Sequence, residues 1–499
     1  MEKYDICIIG GGPAGYAAAM RAIDFGKKTV LIEKTRVGGA GIYDGALSSK
    51  TLWEISNRIS AINDTIISLG REEFTIDWKE VQKTVDEAIF ERKFQYSCHI
   101  KLLQTITEKK QNLFQYERGF GYLLSDHEIE IKKEGGNKKI WAENIILATG
   151  SKPKKLPNID VDEKVIMTSD GIHHIEDYPK SLVIVGAGVI GCEYATMFSN
   201  FGKTKVYLID RQDRILPFED EDISELVTSN LRKKGVTIHN QANLERLEKI
   251  DGGIEYELTY PDGRSETIQA EKALISIGRT PNIENIGLDN AGVSMSKRGV
   301  HIGDDDTRTN VKNIYAVGDV SGRIALVNMG ELEARHAVEK IAKNDNIERL
   351  SYNNISTIMF LNPEVAGVGM NEQTCIEKNI SIKVVKIDFS CIARAIAMRK
   401  PQGFFKIIVT NDDEMKILGM RAIGEHASSA IQAVALLIQM DKGIEELAEL
   451  IHPHPSIIEG IQEAVRMLLN KSVFKSSVFK DKLKCYSYQD GVYTPLQRL

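Results

Sequence analysis

One stretch of this chain occurs twice. Ile6-Cys-Ile-Ile-Gly-Gly-Gly-Pro-Ala-Gly15 returns 176 positions later as Leu182-Val-Ile-Val-Gly-Ala-Gly-Val-Ile-Gly191. Each copy is an apolar run, then glycines, then a helical stretch. Each then reaches a second apolar run that ends in an acid, Thr29-Val-Leu-Ile-Glu33 and Val206-Tyr-Leu-Ile-Asp210. Strand, glycine turn, helix and strand make a βαβ unit, so the repeat predicts an α/β chain with two Rossmann-like domains.

The glycine spacing says what such units hold. In Gly10-x-Gly12-x-x-Gly15 the first glycine permits a tight turn. The second lets a pyrophosphate approach the backbone, and the third lets helix pack on strand. Pro13 and Ala14 open the helix, whose free N–H groups favour phosphate. Glu33 stands 18 residues past Gly15, where a ribose hydroxyl needs an acceptor. The second copy offers Gly186, Gly188, Val189, Ile190 and Gly191, with Asp210 a further 19 residues on. An acid there favours NAD because it repels a 2′-phosphate. Arg211 and Arg214 stand beside it and either accommodate NADP or are solvated loop charges.

Composition removes other classes. The 499 residues predict about three domains. A net charge of −6 leaves no overall basic field for nucleic acid. The six cysteines show neither C-x-x-C nor metal-type spacing, so free thiols in a reducing compartment and no metal are expected. Met1–Tyr4 run straight into a strand, and no apolar run reaches the ~20 residues that span a bilayer. A cytoplasmic protein is expected.

Val37 to Thr51 reads Val-Gly-Gly-Ala-Gly-Ile-Tyr-Asp-Gly-Ala-Leu-Ser-Ser-Lys-Thr. It resembles the redox-disulfide segment G-G-T-C-x-x-x-G-C-x-P-S-K of the flavoprotein disulfide reductases of dihydrolipoamide-dehydrogenase type. Gly38, Gly39, Gly45, Ser49 and Lys50 match, but Gly41 and Ala46 hold the two sulfur positions. Neither can form a thiolate or a disulfide. Asn313-Ile-Tyr-Ala-Val-Gly-Asp319 is similar to that family's second FAD motif, and Thr149-Gly150 to its mid-chain signature. The resemblance implies FAD on the first fingerprint and NAD(P) on the second. It implies further cofactor contacts at Lys34, Gly39, Lys50, Gly121, Gly278 and Val327. Lys50 and Glu193 match the lysine and glutamate that pair beside the flavin in that family.

His452-Pro-His-Pro-Ser-Ile-Ile-Glu459 resembles the family's H-x-H-P-[ST]-x-x-E. There the second histidine, here His454, is the acid–base aimed by the glutamate, here Glu459, and it reaches the site of a partner subunit. A homodimer is therefore implied. With the dithiol gone, His454 either protonates another acceptor, such as a quinone oxygen, or is inherited scaffolding. Cys7 and Cys192 read as packing residues. Cys485 lacks the partner that a C-terminal thiol shuttle requires.

The resemblance covers residues 4–470. The expected domains are an FAD domain over 1–150 continued at 273–350, an NAD(P) domain over 151–272 and a mixed α+β dimerisation domain over 351–471. A basic tail follows over 472–499, either packed or solvated, with peripheral membrane contact as the alternative. A long polar surface helix or a helix pair is expected between Glu72 and Gln115. The leading expectation is an NAD(P)H oxidoreductase whose FAD reduces a diffusible, quinone-like acceptor docked where Gly41 and Ala46 leave space. Ala393–Ala397 and Gly403–Lys406 are also similar to soluble transhydrogenases, which generally lack the His-x-His-Pro motif. A retired flavoprotein kept as a structural subunit is the third reading.

Overall fold

The computed structural model describes residues 1–108, 112–303 and 306–496. The chain forms two compact units, Met1–Tyr178 with Lys272–Ser351, and Pro179–Glu271 with Tyr352–Leu499.

The first unit is built on the strand Glu2–Ile9, whose residues alternate sides as a pleated strand must. Ile6 and Ile8 pack with Ala18, Ala19 and Ala22 of the helix Pro13–Asp24, and with Ala334, Ala337 and Val338 of the helix Val327–Ala342. Cys7 and Ile9 face the opposite layer with Leu123, Ile129 and Ile145. Both faces are covered, which is why Thr29–Glu33 is buried at every position and reads as one apolar run. The sheet order is Phe114–Arg118, Thr29–Glu33, Glu2–Ile9, Lys138–Leu147, Glu128–Lys132, Phe120–Leu123. Ile314–Ala316 also pairs, in parallel, with Lys138–Leu147. The polar segment forms the 31-residue helix Trp78–Glu108. Its Trp78 indole donates to Ile175 O at 2.6 Å.

In the second unit Ser181–Val185, Lys205–Ile209 and Thr237–His239 run parallel, with the helix Val189–Phe201 between the first two. Further along lies an antiparallel sheet in the order Ser356–Met359, Val365–Gly369, Ile417–Ile423, Phe404–Thr410, Ile382–Asp388, Leu483–Gln489, Val492–Pro495. The segment after 472 is thus a folded part of this unit. Leu483 and Cys485 are buried in its core with Phe405 and Val465, so the Cys485 thiol is fixed in a strand. No helix among the described residues is long and apolar enough to cross a membrane.

Candidate functional site

The two fingerprints fold alike, because each acid ties its own glycine loop. Glu33 accepts from Gly11 N at 2.7 Å and Thr35 N at 2.8 Å. Asp210 accepts from Ala187 N at 2.6 Å and Gln212 N at 2.9 Å. In both copies one carboxylate grips the second residue of the glycine loop and the backbone two residues past itself.

Gly10 has φ +110°, and a Cβ there would stand 2.2 Å from Ala148 O. A Cβ on Gly15 would meet Gly10 O at 1.8 Å. Gly12 and Gly188 differ. Each precedes a helix, Pro13–Asp24 or Val189–Phe201, and nothing lies within 4 Å of where its Cβ would be. Such open, side-chain-free backbone at a helix N-terminus fits a dinucleotide pyrophosphate. Gly191 is buried, while Val189 and Ile190 are half-buried in the first turn. Gly186 takes φ +104°.

Around the first fingerprint, Gly39 comes close enough that its Cβ would lie 3.4 Å from Gly12 Cα. Lys34 is exposed and Lys50 is half-buried on the helix Ala46–Ser68. Gly121 packs on Ile9, leaving 2.9 Å for a Cβ. Thr149 Oγ1 donates to Asn282 O at 2.7 Å, and Asn282 returns a bond to Thr149 O at 2.9 Å. Gly150 and Gly278 both take positive φ with open space beside them. Asp319 accepts from Ser151 Oγ at 2.5 Å, and Ser151 Oγ accepts from Arg279 Nε at 2.7 Å. Gly318 N donates to the wholly buried Glu333 at 2.6 Å. Val327 starts its helix with its side chain exposed. Ser151, Arg279, Asn282 and Glu333 were not singled out from the sequence. The run Gly278-Arg279-Thr280-Pro281-Asn282 carried a signal for two of them.

The loop that would carry the disulfide is closed. A Cβ on Gly41 would stand 2.4 Å from Cγ of Pro13. The space expected beside Gly41 is therefore taken by the proline ring. Arg36 holds the loop from outside, pairing with both oxygens of Asp44 at 2.7 and 2.9 Å and lying 3.7 Å over the Tyr43 ring. Burial raises the Tyr43 phenol. Ser48 Oγ, wholly buried on the Lys50 helix, has no partner among the described residues.

In the second unit, Glu193 is buried and accepts from Phe360 N at 3.0 Å. Cys192 is also buried, which raises its thiol far above the ordinary value. Arg211 is exposed, with no hydrogen bond or ion pair among the described residues. Arg214 is committed elsewhere, donating to Pro217 O, Glu219 O and Gln373 Oε1. His454 Nδ1 lies 2.8 Å from Glu459 Oε1, and Ser456 N donates to Glu459 Oε2 at 2.7 Å. Burial works to raise the Glu459 carboxyl, but the bonds from Ser456 and His454 outweigh it and hold the group below its usual range. Within one chain the His454 side chain is 73% exposed.

Fold and paired glycine loops together define a two-dinucleotide oxidoreductase. The comparisons narrow this class. Residues 4–334 match the pyridine nucleotide-disulphide oxidoreductase family, and residues 355–465 match its dimerisation domain. The chain belongs to the pyridine nucleotide-disulphide oxidoreductase family. It is 32% identical over 472 residues to a dihydrolipoyl dehydrogenase of Bacillus subtilis (strain 168), covering 94% of this chain and 97% of that one. It is 34% identical over 472 residues to the dihydrolipoyl dehydrogenase of Chlamydia trachomatis serovar D, at the same two coverages. LpdA from Mycobacterium tuberculosis superposes with a TM-score of 0.83 at 25% identity, over 94% of this chain and all of that one. RclA from Escherichia coli, an HOCl-induced flavoprotein disulfide reductase, shares the fold with a TM-score of 0.80 at 24% identity, over 93% of this chain and 100% of that one. The protein is an FAD-dependent, NAD(H)-using flavoprotein oxidoreductase, and its dimerisation domain supports a homodimer.

Proposed function

We propose that this oxidoreductase sends electrons from NAD(P)H through its flavin to a diffusible, quinone-like acceptor with no dithiol between them. The carrying observation is at Gly41. The residue has no thiol, and Pro13 stands where its side chain would project. When bound, FAD would supply the redox chemistry between the nicotinamide nucleotide and the acceptor.

The chain's own residues do the rest. Gly10, Gly12, Pro13, Ala14 and Gly15, with Glu33, would hold the FAD diphosphate and adenosine end, while Thr149, Gly150 and Asp319 would hold its remainder. Gly186, Gly188 and Gly191 would bring backbone to the nicotinamide nucleotide, and Asp210 would serve its ribose. Arg211, unpaired beside Asp210 among the described residues, would let NADPH in alongside NADH. By resemblance to the family, Lys50 and Glu193 are each assigned to tuning the flavin. His454, aimed by Glu459, protonates the reduced acceptor in the active site of a second copy.

Anaerobic stopped-flow mixing of the holoenzyme with NADH tests the first half. Rapid and complete flavin bleaching without a thiolate charge-transfer band is expected. A bleached enzyme that then reduces no quinone would overturn the acceptor reading. No bleaching by NADH or NADPH would leave a flavin-binding structural subunit.

A further inference from the structure

Lys406 has no part in that chemistry, yet its ammonium is enclosed by three carboxylates. Its side chain is 3% exposed, with Asp220 Oδ2 at 3.0 Å, Asp222 Oδ1 at 2.8 Å and Glu372 Oε2 at 3.1 Å. Lys386 takes the other oxygen of Asp222 at 2.8 Å. The other oxygen of Glu372 accepts the Tyr486 hydroxyl at 2.7 Å. Tyr486 lies on the strand Leu483–Gln489, beyond residue 465 where the dimerisation-domain match ends.

The cluster is wired to the nucleotide fingerprint. Asp220 accepts the backbone N–H groups of Glu372 and Gln373 at 3.3 and 3.0 Å. Gln373 Oε1 accepts from Arg214 at 2.6 Å, and the same guanidinium holds Pro217 O and Glu219 O. Leu216 N donates to Ala187 O at 2.9 Å. Ala187 N in turn donates to Asp210 at 2.6 Å. Hydrogen bonds and ion pairs thus run from the C-terminal hairpin to the acid that faces the nucleotide ribose.

We propose that Tyr486 is a positioning residue for the loop 210–220, and that the C-terminal hairpin thereby sets the affinity for the nicotinamide nucleotide. The inference rests on reading the second fingerprint as the nucleotide site. Three carboxylates share two ammonium groups, so the orientation of Glu372 depends on the neutral donor that Tyr486 supplies. Without the hydroxyl, a half-buried carboxylate oxygen loses its partner and draws on Lys406 instead. Asp220 then yields part of its cation, and the loop it anchors shifts. The effect falls on binding at the ribose end and leaves hydride transfer unchanged.

The test uses full-length oxidised holoenzyme titrated calorimetrically with NAD⁺. Tyr486→Phe keeps the ring in the sheet and removes the hydroxyl. It should weaken NAD⁺ binding by about three- to tenfold, with flavin content and the reduction rate at saturating NADH preserved. Tyr493→Phe is the control, since that ring lies 5.7 Å from Tyr486 on the adjoining strand and its hydroxyl feels the charge of Glu372 but makes no hydrogen bond to the cluster among the described residues. It should bind as wild type. Wild-type affinity in Tyr486→Phe, or equal weakening in both variants, would overturn the proposal. If Tyr486→Phe does not fold, Asp220→Asn, which gives up that carboxylate's hold on Lys406 while keeping an acceptor for Glu372 N and Gln373 N, should show the same weakening, and wild-type affinity there overturns the proposal. A wild-type protein that binds neither NAD⁺ nor NADP⁺ removes the nucleotide reading itself, and this proposal with it.

Discussion

A Cβ on Gly41 would lie 2.4 Å from Cγ of Pro13, inside any real carbon–carbon contact. Pro13 opens the helix on the first fingerprint, and its ring cannot swing aside as a flexible side chain would. The loop has therefore closed around the missing sulfur. Restoring the cysteines is predicted to fail: Gly41→Cys with Ala46→Cys should yield no internal disulfide by thiol titration after oxidation. Overpacking at position 41 should cost about 1–3 kcal/mol, read as a lowered Tm and easier loss of FAD. A stable variant with an oxidised pair would show that the loop opens at little cost.

Arg211 and Asp210 make opposite demands on the nucleotide. Asp210 is already gripped by Ala187 N and Gln212 N, whereas Arg211 is exposed and unbonded among the described residues. Arg211→Ala should therefore raise the Kd for NADP⁺ by about tenfold, as loss of one charge-assisted bond to a phosphate does. NAD⁺ binding should be unchanged. Arg214→Ala should instead lower stability, because that guanidinium ties three chain segments together. Equal effects on both nucleotides in Arg211→Ala would refute its role as a 2′-phosphate ligand.

The glycine loops were legible because their constraint is local: strand, turn, helix and acid lie within one βαβ unit, where Gly15 is demanded by its close approach to Gly10 and Gly12 leaves the helix start open. Lys406 was not. Its partner Asp220 is 186 residues away, and a lysine on an apolar strand carries no mark of the carboxylates that will surround it. The C-terminal hairpin was hidden by its own charges, since the lysines around 471–484 made the segment read as a tail. One signal was there. Asp490-Gly491 takes positive φ at both positions, the turn that Asp-Gly favours between paired strands. The Gly41 contact was hidden for another reason. Small residues suggest space, but whether a neighbour fills it depends on the backbone path.

The same cluster predicts a defined pH window. Burial pushes the Asp222 carboxyl up, but Lys406 and Lys386 outweigh it and hold the group below its ordinary value. A depressed carboxyl stabilises the fold above its unfolded pKa of about 3.9, and that contribution is lost as pH falls through the folded value. Burial works to lower the Lys406 ammonium, but Asp222, Asp220 and Glu372 raise it. Its contribution is full below the unfolded pKa of about 10.4 and is lost as pH rises through the folded value. Lys406→Met should lower stability by about 3–5 kcal/mol at neutral pH, because the buried Asp220 and the half-buried Asp222 and Glu372 lose their shared cation. Denaturation across pH should show the deficit shrinking once pH falls below the unfolded carboxylate value of about 3.9, as the contribution of Asp222 is lost toward its lower folded value. A deficit that stays constant to pH 3 would mean that the mutation acts by packing alone.

His454 decides whether the retained acid–base pair works. Its Nδ1 lies 2.8 Å from Glu459 Oε1, so the carboxylate fixes the ring and leaves Nε2 to face outward. Glu459 is held ionised by Ser456 N–H and His454, and stays so until pH falls below the ordinary carboxylate range. In the proposed reaction flavin reduction by NADH needs no proton from His454, whereas the second half does. His454→Gln should therefore leave the stopped-flow bleaching rate unchanged and slow quinone reduction by about 10²–10⁴-fold, the range of general acid catalysis. Glu459→Gln should slow it less, since the histidine remains but loses its fixed tautomer. If quinone reduction proceeds at the wild-type rate in both variants, the pair is scaffolding kept from a dithiol mechanism, and the acceptor takes its proton from solvent.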